Sequence, residues 1–385
     1  MSVPYWRLSG FYFFYFATLG GFIPYWSLYL KENGFNSADI GQLSALLLGT
    51  KIIAPNIWGW IADHTGKSIR IIRLASLFAA LLFIGFLFAQ GYFWFALITL
   101  AFSFFWNAVL PQFEAVTLFH LKEQSYRYSR VRLWGSVGFI IAVLGVGRFL
   151  DKEPVTLLPF IVIALLSLGW LVTLLTPEAK QAHHESVSVG LRYILKKPEV
   201  LAFFMVNILL QAAHSPYYVF YSIFLKLHHY SATLTGLLWA LGVVAEIVLF
   251  IFMGRLLKNT SLRKVLLFSV VLAILRWLMI AWYPDNLILL ITAQLLHAAT
   301  FGAAHVTAIH FVHLYFGQRH QGKGQALYTS LSFGVGGVLG SLYSGYYWES
   351  KGGVFVYSIA ALLCGLAFII AYGWVGRVSK ITQSA

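Results

Sequence analysis

Long apolar stretches, separated by short polar or turn-rich breaks, follow one another along the whole chain. Each stretch is long enough for a helix that crosses a bilayer, which takes about 20 apolar residues. The short alternating strands of a membrane β-barrel are absent. Twelve spans are therefore predicted, at residues 8–30, 40–61, 69–90, 93–119, 132–150, 155–176, 200–225, 233–253, 265–283, 286–314, 325–347 and 354–375.

Composition agrees with a chain whose solvent is lipid. Apolar residue types make up 59% of the 385 residues, charged types only 10%, and the mean hydropathy is +0.77. A soluble domain carries about 25% charged residues. A soluble protein of this size has no interior large enough to hide so much apolar surface. A soluble enzyme and a disordered protein are both excluded.

Basic residues are distributed unevenly between the breaks. If both termini are cytoplasmic, 20 of the 27 Lys and Arg residues lie on the cytoplasmic side, and five lie on the other side. Cytoplasmic loops are enriched in Lys and Arg, so this split predicts a multi-pass inner-membrane protein with both ends in the cytoplasm. The net charge of +14 is then mostly a topology signal, and a nucleic-acid partner is not expected.

The longest polar stretch divides the chain into two similar halves. We predict a bundle of six helices over 1–176, a cytoplasmic linker over 177–199 and a second bundle over 200–385. The halves resemble each other at an offset of 195, where Leu30-Lys31 matches Leu225-Lys226 and Gly41 matches Gly236. Parallel repeats of this kind imply a pseudo-twofold axis along the membrane normal, with a substrate site between the halves.

The break after span 2 carries the most specific motif. From the residues, Gly59 allows two helices to approach closely, and Asp63 either caps span 3 or pairs with a cation of another loop. The motif resembles the signature loop of the major facilitator superfamily. This resemblance implies an all-α membrane protein, with twelve transmembrane helices in two pseudo-twofold six-helix bundles. We expect the motif to act as a conformational switch, formed by Gly59, Asp63, Gly66, Lys67 and Arg70.

Three further segments narrow the resemblance. Residues 23–31, 130–139 and 239–246 are similar to bacterial 3-phenylpropionate permeases, among the lactose-permease-like and nucleoside-permease-like proton symporters. The resemblance implies proton symport of an aromatic monocarboxylate by alternating access, in a monomer without cofactors. A proton-coupled sugar or nucleoside permease stays open as an alternative, as does a multi-pass enzyme or sensor. No nucleophile, metal set or phosphate-binding loop is recognisable, so we do not expect an enzyme.

Four charged residues lie inside spans: Lys51, Glu114, Glu246 and Arg276. Each costs roughly 2.5–3.5 kcal/mol at the bilayer centre on insertion scales, so they should face a cavity and find partners. Lys51–Glu114 and Glu246–Arg276 are the expected pairs, with a structural or a functional role. The resemblance implies proton coupling by Glu246 and Arg276, and Glu114 is a second candidate.

Side chains that recur on one helix face form a stripe on each of two spans. The stripe of span 7 is Asn207, Gln211, His214 and Tyr218, and the stripe of span 10 is Gln294, His297, Phe301 and His305. Two such stripes predict a wet cavity, and an isolated histidine in a span is otherwise a hydrogen-bonded packing residue. Two histidines at 310 and 313 lack further ligands, so no metal site is expected. The predicted substrate-binding residues are Lys51, Asn107, Gln211, His214, Tyr218, His297 and His305, with Lys51 as the cation for a carboxylate.

Overall fold

The computed structural model describes residues 3–178 and 191–377, which form long helices without a strand. Helix ends extend a few residues beyond most of the predicted spans. The first six spans are Tyr5–Glu32, Ser37–Thr65, Ser68–Leu87, Gly91–Leu121, Tyr128–Leu150 and Val155–Leu175. The all-helical prediction is confirmed for the first half.

The second half repeats this arrangement. Spans 7 to 10 are Pro198–Leu227, Ala232–Asn259, Leu262–Trp282 and Leu287–Gly317. Spans 11 and 12 lie within His320–Trp374 and are separated at Gly352, whose φ of 78° is readily adopted by glycine. A short helix at Leu191–Leu195 lies in the predicted linker, whose residues 179–190 are outside the described part.

Ten helices of the described chain are long and apolar enough to cross a membrane. The last of them, His320–Trp374, contains two spans. Span 1, which is rich in tyrosine and glycine, falls outside that set, although its 28 residues are long enough to cross. Together these helices make up the twelve predicted spans.

Contacts divide the chain into two compact units whose limits differ from the predicted halves. One unit comprises Met1–Glu185 with Tyr217–Ala240, and the other comprises Ser186–Pro216 with Leu241–Ala385. Spans 7 and 8 therefore each contribute to both units. The predicted domain limits describe the sequence repeat, and as structural domains they stay a prediction.

Glycines allow close helix packing within each unit. In the first unit, span 1 packs against spans 5 and 6, and span 3 packs against spans 4 and 6. A Cβ at Gly20 would lie 2.5 Å from the Phe139 carbonyl oxygen of span 5, and one at Gly138 would collide with the Phe13 carbonyl. Small residues at these positions let the two backbones touch, as is usual between membrane helices.

Arginines tie together helix ends at repeat-related places. Arg73 of span 3 donates from Nε to the Thr173 carbonyl at 3.2 Å, and from Nη2 to the Leu174 and Thr176 carbonyls at 3.1 and 3.0 Å. Arg263 of span 9 donates in the same way to two carbonyls at the end of span 12. Its Nη2 donates to the Tyr372 carbonyl at 2.6 Å, and its Nη1 donates to the Val375 carbonyl at 2.9 Å. The last four carbonyls of a helix lack intrahelical partners, so each arginine satisfies the end of span 6 or span 12.

The signature loop differs in two details from the expectation. The amide of Ile69 at the start of span 3 donates to the Glu178 carboxylate at 3.3 Å, whereas Asp63 is exposed. Of the two roles considered for Asp63, the cap at this amide is therefore filled by Glu178 in this conformation. A Cβ at Gly59 would meet nothing closer than 3.6 Å, so close helix approach does not require glycine there. Gly66, with a φ of 64°, ends span 2 in the left-handed conformation.

Arg73→Gln should destabilise the fold, because several carbonyls at the end of span 6 lose a charged donor. Hydrogen bonds to charged groups each contribute about 1.5–3 kcal/mol, and partial exposure here reduces that value. The melting temperature of the purified protein in detergent should fall by several degrees. Arg255→Gln, at an exposed position at the end of span 8, is the control. Equal melting temperatures of the two variants would contradict a stabilising role for the hydrogen bonds of Arg73.

Candidate functional site

The polar stripes of spans 7 and 10 face a common pocket in the second unit. Span 7 contributes Asn207, Gln211 and His214, and span 10 contributes Phe301 and His305. The space among these side chains, about 310 Å³, includes open solvent. The remaining lining residues are Leu210, Thr300, Ala304, Tyr328, Ser332 and Phe333. Three of the four residues of the predicted span 7 stripe thus lie together with the predicted His305.

Two π-helical turns shape this pocket. One covers Ala298–Ala303 in span 10, and the other covers Ser330–Gly336 in span 11. Such turns insert an extra residue into a helix, and they are frequent at functional sites. Phe301 and Phe333, which lie in the two turns, have ring centroids 6.2 Å apart. The sequence pattern gave no sign of these turns.

Three rings of span 10 lie nearly parallel; Phe301 and His305 line the pocket, and the predicted binding residue His297 does not. His297 and Phe301 are 5.3 Å apart at an interplanar angle of 9°, and Phe301 and His305 are 6.2 Å apart at 7°. The Nδ1 atom of His305 lies 2.9 Å from the Tyr328 hydroxyl. This hydrogen bond fixes the orientation of His305 in the pocket wall.

Glu246 of span 8 pairs with His297. The distance between Glu246 Oε1 and His297 Nε2 is 3.2 Å, and both side chains are largely buried. His214 lies beside this pair, with its ring centroid 6.3 Å from that of His297. Its Nδ1 donates to the Leu210 carbonyl at 2.7 Å. A carboxylate and two imidazoles, all titratable, are thus close together in the second unit.

Arg276 is fully buried beside this group. Its Nε donates to the Ala293 carbonyl at 3.0 Å, its Nη1 to the Thr300 hydroxyl at 3.4 Å, and its guanidinium lies 4.4 Å from the Trp277 ring centroid. These contacts join spans 9 and 10. The structure shows a partner of Glu246 that was not expected, His297, and the predicted Glu246–Arg276 pair stays a prediction.

In the first unit, Glu114 has partners other than the expected one. It accepts a hydrogen bond from the Tyr128 hydroxyl at 3.2 Å and interacts electrostatically with Arg132. No ion pair within 4.0 Å joins it to Lys51 in the described chain, so the predicted Lys51–Glu114 pair is wrong for this conformation. Aromatic rings surround the group, with the Arg132 guanidinium 3.9 Å from the Phe16 ring centroid.

Sequence reasoning missed Arg132. The predicted span 5 begins at residue 132 itself, which places Arg132 with the basic residues of a cytoplasmic loop. The helix in fact begins at Tyr128, so Arg132 lies one turn inside it. The signal that could have shown this is the spacing of Tyr128 and Arg132, four residues apart on one helix face.

Three other predicted binding residues have different surroundings from those expected. Asn107 donates to the Leu47 carbonyl at 3.0 Å and to the Thr50 hydroxyl at 2.8 Å, so it joins spans 2 and 4. Tyr218 belongs to the first unit, where its ring lies 6.2 Å from Trp239, and it does not line the pocket of the second unit. Lys51 is half-buried next to Thr50 and has no ion-pair partner among the described residues.

Comparison with known proteins identifies the family to which this helical architecture belongs. The model of the MFS_1 like family matches residues 5–359, which is most of the chain. The chain belongs to this family of the major facilitator superfamily. A crystal structure of the nucleoside transporter NupG has a TM-score of 0.83 at 18% identity, covering 97% of this chain and 98% of that one. The predicted twelve-helix major facilitator fold is thereby confirmed.

Relatives with curated names are transporters. A protein named "Probable 3-phenylpropionic acid transporter" from Escherichia coli is 31% identical over 370 residues, covering 91% of this chain and 93% of its own. A maltose permease from Geobacillus stearothermophilus is 28% identical over 377 residues, covering 94% and 92%. This chain is therefore a transporter of the major facilitator type and not an enzyme.

Gly340 allows span 11 to approach span 7 closely. A Cβ there would collide with the Ala212 carbonyl and the Ser215 hydroxyl of span 7. We expect Gly340→Ala to lower the unfolding free energy by about 1–3 kcal/mol, the usual effect of overpacking. Thermal unfolding in detergent measures the change.

Gly365→Ala is the matched control, because nothing lies within 4 Å of a Cβ at this helical position. That substitution should be neutral or stabilise by about 0.5–1 kcal/mol, since alanine favours helices over glycine. If Gly340→Ala stabilised the protein as well, the close approach of spans 7 and 11 would be disproved.

Proposed function

We propose that this protein is a secondary transporter that moves an aromatic monocarboxylate, such as 3-phenylpropionate, together with protons by alternating access. The observation that supports the substrate class most is the arrangement around Arg132 in the first unit. Its guanidinium lies over the Phe16 ring and 5.6 Å from the Tyr12 ring centroid. A cation beside aromatic rings suits a ligand with a carboxylate on an aromatic body.

The chemistry of the two cations supports this choice. Arginine binds a carboxylate through two parallel hydrogen bonds, which are stronger than neutral ones. Lys51 offers a second positive charge on span 2. In the same unit the rings of Tyr15 and Trp106 are stacked 4.4 Å apart at 5°. Aromatic pairs of this kind provide a rigid apolar surface for a substrate ring.

A sugar or nucleoside is the second candidate substrate, and one observation favours it. The pocket of the second unit offers the neutral amides of Asn207 and Gln211, together with His305 and Tyr328. Neutral donors and acceptors beside aromatic rings suit hydroxyl groups. The maltose permease and the nucleoside transporter among the similar proteins are named for such substrates.

Transport assays in proteoliposomes distinguish these substrates. Labelled 3-phenylpropionate should be taken up, and 3-phenylpropionamide should compete at least about tenfold less well, because the amide lacks the charge-assisted hydrogen bond. Arg132→Lys should weaken uptake more than Arg148→Lys at the exposed end of span 5. Stronger competition by maltose or uridine than by 3-phenylbutyrate would favour the second candidate.

For proton coupling, we propose Glu246 as the carrier, with His297 as its partner and Arg276 as a modulator. A buried carboxyl whose partner is itself titratable can gain and lose a proton as its surroundings change. Glu114 beside Tyr128 and Arg132 is the second candidate carrier. Both groups lie inside spans, where ionisable residues mark ion and proton pathways.

Glu246→Gln tests this assignment. The variant should lose accumulation of substrate driven by an imposed pH difference but keep substrate exchange, because only the proton step is removed. Glu32→Gln, at an exposed position at the end of span 1, should behave as the parent protein. Accumulation by the Glu246→Gln variant in response to the pH difference would eliminate Glu246 as the carrier.

Three further assignments belong to the same proposal. Both termini lie in the cytoplasm of a cell with an inner membrane, the working unit is a monomer, and the exposed loop around Asp63 acts as a conformational switch. The uneven distribution of basic residues supports the orientation. The exposed carboxylate of Asp63 supports the switch, because it is available to a cationic partner in another conformation.

A further inference from the structure

Asp151, directly after span 5, contacts the start of span 8. Its Oδ1 accepts a hydrogen bond from the Ala232 amide at 2.7 Å, and its Oδ2 accepts one from the Thr233 amide at 3.0 Å. All three residues belong to the first unit. Spans 5 and 8 nevertheless come from different sequence repeats, so this contact joins the two repeats on the side of the membrane opposite the termini.

The contact completes the hydrogen bonding at the start of span 8. The first amides of a helix have no intrahelical acceptor. The Ser231 hydroxyl accepts from the Leu234 amide at 3.1 Å, and the Ser231 carbonyl accepts from the Thr235 amide at 3.0 Å. Ala232 and Thr233 are the two amides left, and span 8 has no acidic residue in its own first turn to accept from them. Asp151 supplies that acceptor from another span.

Close packing lies directly beneath the carboxylate. The Tyr25 hydroxyl of span 1 donates to the Val143 carbonyl at 2.7 Å and lies 3.5 Å from the Ala232 carbonyl. A Cβ at Gly147 would lie 2.6 Å from the Ala232 carbonyl oxygen, and one at Gly236 would lie 2.7 Å from that of Val143. Spans 1, 5 and 8 touch here without room for a methyl group.

We infer that Asp151 and this packed layer form a latch that holds the transporter closed on the side opposite its termini. The inference rests on the proposed alternating access, which requires the repeats to separate on that side in one state. Separation breaks both carboxylate bonds and leaves the first two amides of span 8 to water. The glycines allow the contact, and the negative charge at the positive end of a helix favours it.

The latch is a fixed charge and not a pH sensor. Partial burial disfavours ionisation, but hydrogen bonds from Thr233 and Ala232 outweigh it and hold the pKa of Asp151 below its ordinary value. A carboxylate with a lowered pKa contributes stability above its unfolded pKa, and that stability is lost only as the pH falls through the lowered value. The latch therefore stays charged at neutral pH. The ionisable residues along the adjoining segments are Tyr25, Arg148, Lys152, Glu153, Lys226, His228 and His229.

Labelling of a buried reporter tests the latch without substrate or protons. Val143, fully buried under the latch, is replaced by cysteine, and a membrane-impermeant maleimide is added to proteoliposomes. Labelling should be slow in the parent and at least about tenfold faster with Asp151→Ala, because two hydrogen bonds to a charged group are lost. Protein without the reporter corrects for the buried Cys364.

Conservative variants distinguish loss of the Asp151 charge from a general loss of folding. Asp151→Asn keeps one acceptor oxygen and should give an intermediate rate, so it serves if the alanine variant does not fold. Exposed Glu153→Gln should label as the parent does. Unchanged labelling of folded Asp151→Ala or Asp151→Asn would overturn the latch.

Two glycines of span 5 give an independent comparison. Gly147→Ala places a methyl group against Ala232 and should accelerate labelling even with Asp151 present. At Gly145, two residues away, nothing lies within 4 Å of a Cβ, so Gly145→Ala should have no effect. Equal rates in the two alanine variants would overturn the role of the packed layer. The labelling rate does not depend on which substrate is transported. If 3-phenylpropionate is not transported, the latch can therefore still be tested, and the proposed function and the latch can fail separately.

Discussion

The structure depends on the absence of water around its spans: a polar group there must find its partner within the protein. An unsatisfied backbone group costs several kcal/mol in hydrocarbon, which is why spanning segments are helices. Helix ends lie nearer to water, but their amides and carbonyls lack intrahelical partners. Arg73, Arg263, Glu178 and Asp151 supply such partners by reaching from one span to the end of another. Contacts that satisfy helix ends thereby also join the spans.

The same constraint explains the composition of the candidate site. Arg276 is buried without exposure to water, and carbonyl, hydroxyl and indole groups surround its guanidinium. Glu246 Oε1 lies 3.2 Å from His297 Nε2, and Glu114 lies beside Tyr128 and Arg132. Ionisable residues kept in a span at such cost mark substrate, ion and proton pathways. The proton coupling proposed above would act through an exchange of partners among these groups.

Much of the fold follows from the order of residues. Span number, span length and the halfway break depend on hydrophobicity, which each segment carries by itself. Span 7 illustrates the same point for the site: Asn207, Gln211 and His214 share one face by helical periodicity alone, and they do line one pocket. Tyr218 continues that stripe, yet it packs near Trp239, because span 7 contributes to both units.

Only the tertiary structure decided which side chain or backbone group each polar residue contacts. The sequence by itself determined twelve helices, their repeat and the identity of the charges inside them, because these depend on local composition and period. It did not determine that Glu246 meets His297, that Glu114 meets Tyr128 in place of Lys51, or that Asp151 meets Ala232. Partners lie on different helices, whose rotation and depth depend on side-chain packing, as Gly138 against Phe13 shows. That packing is a property of pairs of surfaces, and no single stretch of sequence encodes it.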